Sequence, residues 1–392
     1  MRSSPSRRNA NPAKAASEPG VARENLAEKP GDRPVTLHDV ARRLHCSTAT
    51  VSMALRGDPR VSVETRRRVE AAAEELGYRP NPLVAALMRQ KRERSYRKLN
   101  LTIGLVTNHA APSPWKQWLM YPDLVAGANQ RADERGYRVE EFWLGDPGMS
   151  GARLSQILAW RNVPGVIFCS LPMPGEVSDF DFSRLACVTL GYSLETPRLH
   201  RITSNHRQGM HEAMDRARAF GYRRIGLVIS READERVVHL WSGSFLSKQL
   251  QFPEPERLPI FLFPESNFDQ KSFSRWRRKW RPDIVIGSQG EFLSEALAAA
   301  GASVPKQTAI ISLFHRPDLQ DRYASIDHNA GVIGAALVDF VVDLLNRNDR
   351  GTPAFPETRI FDTIWRDGWS LPRKEIGKAN AAVLSNCGIE IK

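Results

Sequence analysis

Residues 101–372 alternate between short apolar runs and amphipathic segments, and this alternation constrains the fold of the 392-residue chain more than any other feature. The runs are typical of strands buried on both faces, and they read LTIGLVT, PGVIFCS, ACVTLGY, RIGLVIS, PIFLF, DIVIGS and TAIISLF. Amphipathic helices are expected between many of them, for example at 124–135, 206–220 and 292–300. Strands that alternate with helices predict a doubly wound α/β fold, and the length suits two lobes.

Residues 34–80 predict three short helices instead. Thr36 and Asp39 form a pattern close to a capping box at the start of the first helix, with the usual Glu shortened to Asp. Ser47 is placed to cap the second helix, and Ser62 is placed to cap the third. Three short helices with a tight first turn form a helix-turn-helix unit. The predicted fold class is therefore an all-α helix-turn-helix domain followed by an α/β domain.

Positive charge is concentrated at the N-terminal end. Residues 1–100 hold 21 Lys and Arg against 11 Asp and Glu, whereas the other 292 residues hold 35 against 33. Such a local surplus indicates contact with a nucleic acid or an anionic membrane, and a solvated basic tail is the alternative. Residues 1–33 are rich in Pro, Ser, Ala and charge, so we expect them to form a disordered basic tail.

The second helix combines an apolar inner face with a small polar outer face. The residues predicted to face the core are Val51, Ala54 and Leu55. Those predicted to face outward are Thr48, Ala49, Ser52, Met53 and Arg56. Small side chains let a helix enter the major groove of DNA and reach phosphates or base edges. A small helical bundle whose second helix is simply polar on the outside is the alternative.

Several stretches in register resemble the LacI/GalR family of bacterial transcription regulators. They are VTLHDVA, TVS, VSVETR and AAAEELGYRPNPLVAAL. The resemblance implies a sequence-specific DNA-binding regulator, expected to be a repressor, that binds a pseudo-palindromic double-stranded DNA operator as a homodimer. It also implies a two-lobed α/β effector domain at 101–372, similar to periplasmic binding proteins, with a small-molecule effector in its cleft. The implied DNA contacts are His38, Ser47, Thr48, Ala49, Ser52, Met53, Arg56 and Leu87.

The segment 81–100 is implied to be a hinge helix and a linker. Asn81 can cap a short helix whose first residue is Pro82. In the family this helix becomes ordered on operator DNA. Leu87 falls where the family places the leucine that wedges into the minor groove and kinks the duplex. Residues 89–98 then form a basic linker.

The expected effector cleft departs from the family at its polar positions. Leu240 stands three residues before Gly243, where the family often supplies an Arg that holds sugar hydroxyls. Ser288 and Gln289 stand for an Asn-Asp pair, and the residues at 312–315 stand for a Gly-Tyr-Asp-Asp turn. A site that loses these partners loses its discrimination among sugar hydroxyls.

The cleft is therefore expected to bind a less polar metabolite, or a carbohydrate stacked on one face, with little response to simple monosaccharides. The effector contacts that we expect are Trp115, Tyr121, Trp241, Gln289, Phe314, His315 and His328. Aromatic faces would stack on the ligand, and the amide and imidazole groups would orient it.

Other classes of protein find little support in the sequence. No run of 18 apolar residues is present, and MRSSPSRRNANPAKAASEPG lacks the apolar stretch of a secretory signal, so a cytoplasmic protein without membrane contact is expected. The four cysteines form no CxxC pair, which argues against a zinc site and a disulfide framework. No Walker loop, GxSxG, HExxH or GxGxxG after a strand occurs, so we expect neither an enzyme nor a cofactor.

Two rival functions stay open: a DNA-binding regulator with no effector response, and a ligand receptor of the periplasmic-binding-protein class. The helix-turn-helix pattern argues against the second. The stretch WRRKW at 276–280 has two interpretations as well, a second nucleic-acid patch or, the one we favour, a solvated helix face. The C-terminal tail, 373–392, lacks a leucine heptad series, so a tetramerising coiled coil is not expected.

Overall fold

The computed structural model of the chain describes residues 35–55, 58, 60–78, 101–109, 120–319 and 321–374. The chain divides into two compact units, Met1–Asn81 and Pro82–Lys392. Each unit has its own apolar core. The predicted tail at 1–33, the hinge and linker at 81–100 and nearly all of the tail at 373–392 lie outside the described residues, so the finer domain boundaries stay predictions.

The first unit contains the three predicted helices. They are α1 Leu37–Arg43, α2 Thr48–Leu55 and α3 Val63–Glu75. The three predicted caps are present: the Thr36 backbone N–H donates to Asp39 at 2.9 Å, Ser47 accepts the Thr50 N–H at 3.0 Å, and Ser62 accepts the Thr65 N–H at 3.2 Å. Leu55, which was expected in the core, is only half-buried, because it lies in the last turn of α2 and packs against the edge of the core.

The second unit alternates strands and helices. Its strands are β1 Leu101–Thr107, β2 Tyr137–Trp143, β3 Gly165–Phe168, β4 Gly175–Glu176, β5 Ala186–Leu190, β6 Leu194–Thr196, β7 His200–Ser204, β8 Ile225–Ser230, β9 Phe261–Phe263, β10 Ile284–Gly287, β11 Ala309–Ser312, β12 Ala324–Asp327, β13 Thr358–Phe361 and β14 Ile364–Arg366. Its helices are α4 Tyr121–Glu134, α5 Gly151–Trp160, α6 His206–Ala219, α7 Arg231–Glu235, α8 Leu240–Gln249, α9 Gln270–Trp280, α10 Gly290–Ala299 and α11 Ala330–Arg347.

The strands form two six-stranded sheets and one small pair. In the first sheet, which with its helices we call lobe 1, the order is β13-β7-β5-β3-β1-β2 and every pairing is parallel. In the second sheet, lobe 2, the order is β14-β12-β11-β10-β8-β9, and β14 runs antiparallel to β12. Strands β4 and β6 pair separately. Within the described residues the chain passes between the lobes three times, from β7 to α6, from β12 to α11 and from β13 to β14.

The predicted alternation is confirmed, but seven strands were not predicted: β2, β4, β6, β7, β12, β13 and β14, of which β7 and β12 lie inside their sheets. All seven apolar runs contain a strand, namely β1, β3, β5, β8, β9, β10 and β11. Strand β2 was not predicted, because it lies at an edge and its sequence YRVEEFW carries three charged residues that keep partial exposure. No helix within the described parts of the chain is both long enough and apolar enough to cross a membrane.

Helices α4 and α11 cross at very close range in lobe 1. A Cβ atom at Gly127 would lie 2.0 Å from the carbonyl oxygen of Gly331, and one at Gly334 would lie 2.0 Å from that of Leu124. No side chain fits at such distances, so positions 127 and 334 require glycine. The contact lets the apolar residues that flank it on both helices, including Leu124 and Ile333, join the lobe 1 core.

Gly334→Ala should lower the free energy of unfolding of the second unit by about 1–3 kcal/mol, because the added methyl group overlaps the Leu124 carbonyl and forces the helices apart. Gly331→Ala is the matched control on the same helix. Its Cβ would lie 3.5 Å from the nearest atom, an ordinary contact, so little change or a slight stabilisation is expected. Urea unfolding measures both variants, and an equal loss in the two would contradict this geometry.

Candidate DNA-binding surface and ligand cleft

The inner face of helix α2 packs against the core, and its outer face exposes small polar side chains. Val51 and Ala54 are both 0% exposed and fix the helix to the core of the first unit. The hydroxyl of Ser47 caps the helix by accepting the Thr50 N–H at 3.0 Å. The exposed residues at its start are Ser47, Thr48 and Ala49. Side chains this short allow the backbone of a helix to approach the floor of the major groove.

The other predicted DNA contacts of the first unit differ in their exposure to solvent. His38 is exposed on α1, as expected for a contact residue. Ser52 and Met53 are half-buried rather than fully outward, and Met53 packs against the core of the unit. The cause is the flexible thioether side chain, which folds over the short helix and covers apolar surface.

Several arginines around α2 are paired with acids. Arg43 lies 3.2 Å from Glu75, and Arg60 lies 2.8 Å from Asp58. Exposed pairs of this kind add little stability, but they offset part of the charge that would otherwise attract a polyanion. Arg67 on α3 is exposed and keeps its charge available.

Three predicted contact residues lie outside the described parts of the chain. They are Arg56, Leu87 and Trp115. Their proposed roles, and the hinge helix to which Leu87 belongs, stay predictions.

In the second unit, an aromatic and imidazole cluster lies near the carboxyl ends of the lobe 2 strands. The Trp241 ring lies 4.7 Å from that of His206 and 5.9 Å from that of His328, between ring centroids. Phe314 lies 4.8 Å from His328. Trp241 is 1% exposed and belongs to the lobe 2 core, so it supports the cluster from behind. A direct ligand contact by Trp241 would require its neighbours to move.

A cavity of about 330 Å³ opens beside this cluster and is lined from both lobes. Its lining residues are Met120, Asp123, Phe314, His315, Pro317, Asp327, His328, Ala330 and Arg366. Three predicted effector contacts, Phe314, His315 and His328, are thus brought together. The volume is at the lower end of the range of about 300–1,000 Å³ typical of small-molecule pockets.

Two further predicted contacts do not line this cavity. Tyr121 is 3% exposed at the start of α4, where burial raises the pKa of its phenol well above the usual value and Ser170 faces it. Gln289 is exposed and precedes α10. Both therefore stay predictions as ligand contacts.

One wall of the cavity carries an ion pair. Arg366 donates to Oδ2 of Asp327 through Nη2 at 2.7 Å and Nε at 3.1 Å. Burial alone would raise the pKa of Asp327, but the Asn329 N–H and Arg366 outweigh it and lower the pKa. The carboxylate therefore stays ionised, and the wall offers both a fork of donors and a charged acceptor.

Two buried histidines are held in the neutral form, His328, which lines the cavity, and His206 beside it. His206 donates from Nδ1 to the carbonyl oxygen of Ser204 at 2.6 Å, and His328 donates from Nε2 to that of Leu313 at 2.8 Å. Burial lowers the pKa of both imidazoles, that of His206 to about 3. The cluster is therefore an uncharged surface at neutral pH.

Sequence reasoning missed Arg236, which links the lobes. Its Nη1 donates to the Pro172 carbonyl of lobe 1 at 3.2 Å and pairs with Glu265 of lobe 2 at 2.9 Å. Its charge reaches His109, whose pKa is lowered first by burial and then by this neighbour. The family pattern places an arginine three residues before Gly243, whereas Arg236 lies further upstream, so no spacing signal pointed to it.

Nothing in this geometry suggests a metal centre. Across the described ranges, no three His, Cys, Asp or Glu side chains cluster closely enough to hold a metal ion. Cys169 and Cys187 are buried, and burial raises the pKa of both thiols well above the usual range.

Comparison with known proteins agrees with this architecture. Residues 36–81 match the model of the family described as bacterial regulatory proteins, lacI family. The chain is 27% identical over 210 residues to catabolite control protein A of Priestia megaterium, covering 52% of this chain and 58% of that protein. It is 30% identical over 203 residues to the lactose operon repressor of Escherichia coli K12, covering 50% of this chain and 51% of that protein. The matches thus span about half the length of these curated relatives.

Structural comparison extends over more of the chain. A lac repressor dimer bound to operator and the anti-inducer ONPF superposes with a TM-score of 0.52 at 18% identity, covering 87% of this chain and 100% of that one. At this identity the likeness shows the fold. It confirms the predicted fold class, a helix-turn-helix unit followed by a two-lobed α/β unit.

The first unit is a helix-turn-helix domain whose second helix exposes small residues. The second unit is a two-lobed α/β fold with a cavity between its lobes. The chain is similar to bacterial regulatory proteins of the lacI family, and its residues 36–81 match the model of that family.

The stability of the second unit should fall as the pH drops from about 6.5, the usual value for histidine, toward the folded-state pKa of His206, about 3. In that window the unfolded chain binds a proton at this position that the folded chain does not, so unfolding is favoured by about 1.4 kcal/mol per pH unit. His206→Asn keeps a donor toward Ser204 and removes the titrating ring. Urea unfolding between about pH 7 and 4.5 should give a shallower decline for this variant. Identical slopes would show that His206 is not the source.

Proposed function

We propose that the protein is a sequence-specific regulator that binds double-stranded DNA through α2 and acts as a homodimer on a pseudo-palindromic operator. The observation that carries the proposal is the exposed run Ser47, Thr48 and Ala49 on a helix whose opposite face is fully buried. A twofold dimer presents two such helices related by symmetry, which matches two half-sites of a palindrome.

The names of the relatives support this proposal, and they also support repression as the effect on transcription. One is a lactose operon repressor, and the matched structure is a lac repressor dimer on its operator. We therefore propose that the protein is a repressor. We also propose that it acts in the cytoplasm and catalyses no reaction. The proposed contacts beyond α2 are His38 on α1, Arg56 and the hinge residue Leu87.

Ala49→Gln should change the preferred half-site, because a glutamine at the start of a recognition helix can bond the N6 and N7 edge of an adenine. Selection of binding sites from a random DNA pool, followed by sequencing, measures the preference of the wild type and the variant. The affinity for duplexes without the site should stay within about threefold, since no phosphate contact is removed.

Ala71→Gln is the matched control, because Ala71 is exposed on α3 and lies outside the proposed surface. It should leave the selected sequence unchanged. If the wild type and Ala49→Gln select the same palindrome, α2 does not determine which operator sequence is bound.

We further propose that a small molecule binds between the lobes and controls DNA binding. The cavity lined by Phe314, His315 and His328 supports this. Its wall combines an aromatic face and the neutral imidazole of His328 with the Asp327 and Arg366 pair, so a ligand with one apolar face and a few polar groups fits it best. A ligand changes the state of the protein only through a difference in affinity between two arrangements of the lobes. A regulator without effector response is the alternative.

Phenyl glycosides should raise the thermal midpoint of unfolding more than the parent hexoses do, because the phenyl ring adds apolar area against Phe314. Phe314→Ala should abolish that difference. Phe355→Ala is the matched control, since Phe355 is 87% exposed and lies outside the cavity. A strong shift with a simple hexose that also releases selected operator DNA would contradict the less polar ligand, and no shift with any probe would favour the regulator without effector response.

A further inference from the structure

His328 is a residue of the cavity wall whose ring is fixed by its neighbours. It lies between β12 and α11, where the chain passes from lobe 2 to lobe 1. The residue lines the cavity and is only 4% exposed. Its ring centroid lies 4.8 Å from that of Phe314 and 5.9 Å from that of Trp241. The ring therefore has a defined orientation, and its two nitrogen atoms face different surroundings.

The first nitrogen, Nε2, carries the proton of the ring. It lies 2.8 Å from the carbonyl oxygen of Leu313, and a carbonyl oxygen can only accept a hydrogen bond. Burial lowers the pKa of the His328 imidazole, although the Leu313 carbonyl and Asp327 raise it in part. The ring is therefore neutral at neutral pH. In a neutral imidazole whose Nε2 is protonated, Nδ1 has a lone pair and no proton, so it can only accept.

The second nitrogen, Nδ1, is an acceptor that the protein leaves open. Among the described residues it has no hydrogen-bond partner. It is also absent from the polar atoms of those residues that are both sealed from the surface and unpartnered, so it borders the open volume of the cavity. The neighbouring carboxylate of Asp327 differs, because it already accepts the Asn329 N–H at 2.8 Å and two N–H groups of Arg366.

We propose that His328 selects ligands that carry a hydrogen-bond donor, a hydroxyl or an N–H group, at the edge of an apolar ring. Nδ1 accepts the bond from that donor. The proposal rests on the ligand cleft proposed above and adds the polarity of the bond that the ligand must form. Phe314 lies over His328 with an angle of 35° between the ring planes, and both line the cavity. A ring placed against Phe314 therefore brings its edge close to Nδ1.

A ligand that offers only acceptors fits this wall less well. A carbonyl or carboxylate oxygen would meet the lone pair of Nδ1, and burial opposes the protonation that would turn Nδ1 into a donor. Arg366, the charged donor of the wall, already donates twice to Asp327, so such a ligand would have to compete for it. Buried polar groups reject ligands that leave them unpaired, and this is the physical basis of the selection.

The first test reads the state of Nδ1 directly, in the full-length protein labelled with ¹⁵N-histidine. The nitrogen spectrum at neutral pH should show a protonated Nε2 and a bare Nδ1 for His328, assigned by the signals that are lost in His328→Gln. Phenol should move the Nδ1 signal toward that of a hydrogen-bonded nitrogen. Fluorobenzene has nearly the same size and no donor, so it should not. A protonated Nδ1, or an Nδ1 signal that does not respond to phenol, would overturn the proposal.

The second test measures the affinities of phenol and fluorobenzene by titration, for the wild type and for His328→Gln. The glutamine amide keeps a donor for the Leu313 carbonyl and removes the ring acceptor. The ratio of the phenol affinity to the fluorobenzene affinity should fall about fivefold in the variant, because one neutral hydrogen bond is lost. The ratio cancels the difference in hydrophobicity between the two compounds, as in a double-mutant cycle.

His206→Asn is the matched control. The His206 ring lies 5.7 Å from that of His328 but does not line the cavity, so this variant should keep the wild-type ratio. An equal fall in both variants would show a general effect of the aromatic cluster and overturn the role of His328.

The remaining outcomes separate this proposal from the ligand cleft itself. Binding of both compounds with the same ratio in the wild type and in His328→Gln overturns the role of His328 and leaves the cleft in place. If neither compound binds while phenyl glycosides do, the same conclusion holds. If phenyl glycosides fail as well, the cleft is overturned together with it. If His328→Gln does not fold, the nitrogen spectrum of the wild type with each compound decides.

Discussion

The close crossing of α4 and α11 is the contact on which the ligand cleft depends. Because Gly127 and Gly334 let backbone meet backbone, the two helices are held at a fixed separation and angle. The amino-terminal ends of both helices then reach the cavity, where Asp123 and Ala330 form its lobe 1 side. Any side chain at the crossing would move these ends apart. The two glycines in lobe 1 therefore set the width of the cavity that faces lobe 2.

The chemistry of the cleft follows from what burial does to its charges. His206 and His328 are kept neutral by burial, while Asp327 stays charged because a backbone N–H and Arg366 hold it. Neutral imidazoles, aromatic faces and one ion pair favour a ligand that is polar on one side and apolar on the other. Arg236 of lobe 2 donates to the Pro172 carbonyl of lobe 1, so this hydrogen bond depends on the relative position of the two lobes.

The sequence allowed the fold class and seven of the fourteen described strands to be predicted, and the cleft only in outline. Continuous apolar runs identify buried strands such as β8, and capping residues such as Ser62 fix where helices begin, since both depend on local chemistry. Edge strands such as β2 have mixed faces and give a weak signal. The ion pair of Asp327 with Arg366 joins distant segments, and no periodicity in the chain reports such a pairing. Trp241 shows the converse, because its aromatic character suggested a ligand contact whereas its position is in the core.

The three passages between the lobes have a consequence for biosynthesis. Lobe 1 is built from an early part of the chain, but it receives α11 and β13 only after nearly all of lobe 2 has been made. Until α11 is made, the early strands therefore have one apolar face that only α4 covers in part, and β8 to β12 are synthesised in the meantime. A pause or truncation before α11 would leave that face as a surface for chaperones or for aggregation, even though every earlier element is present.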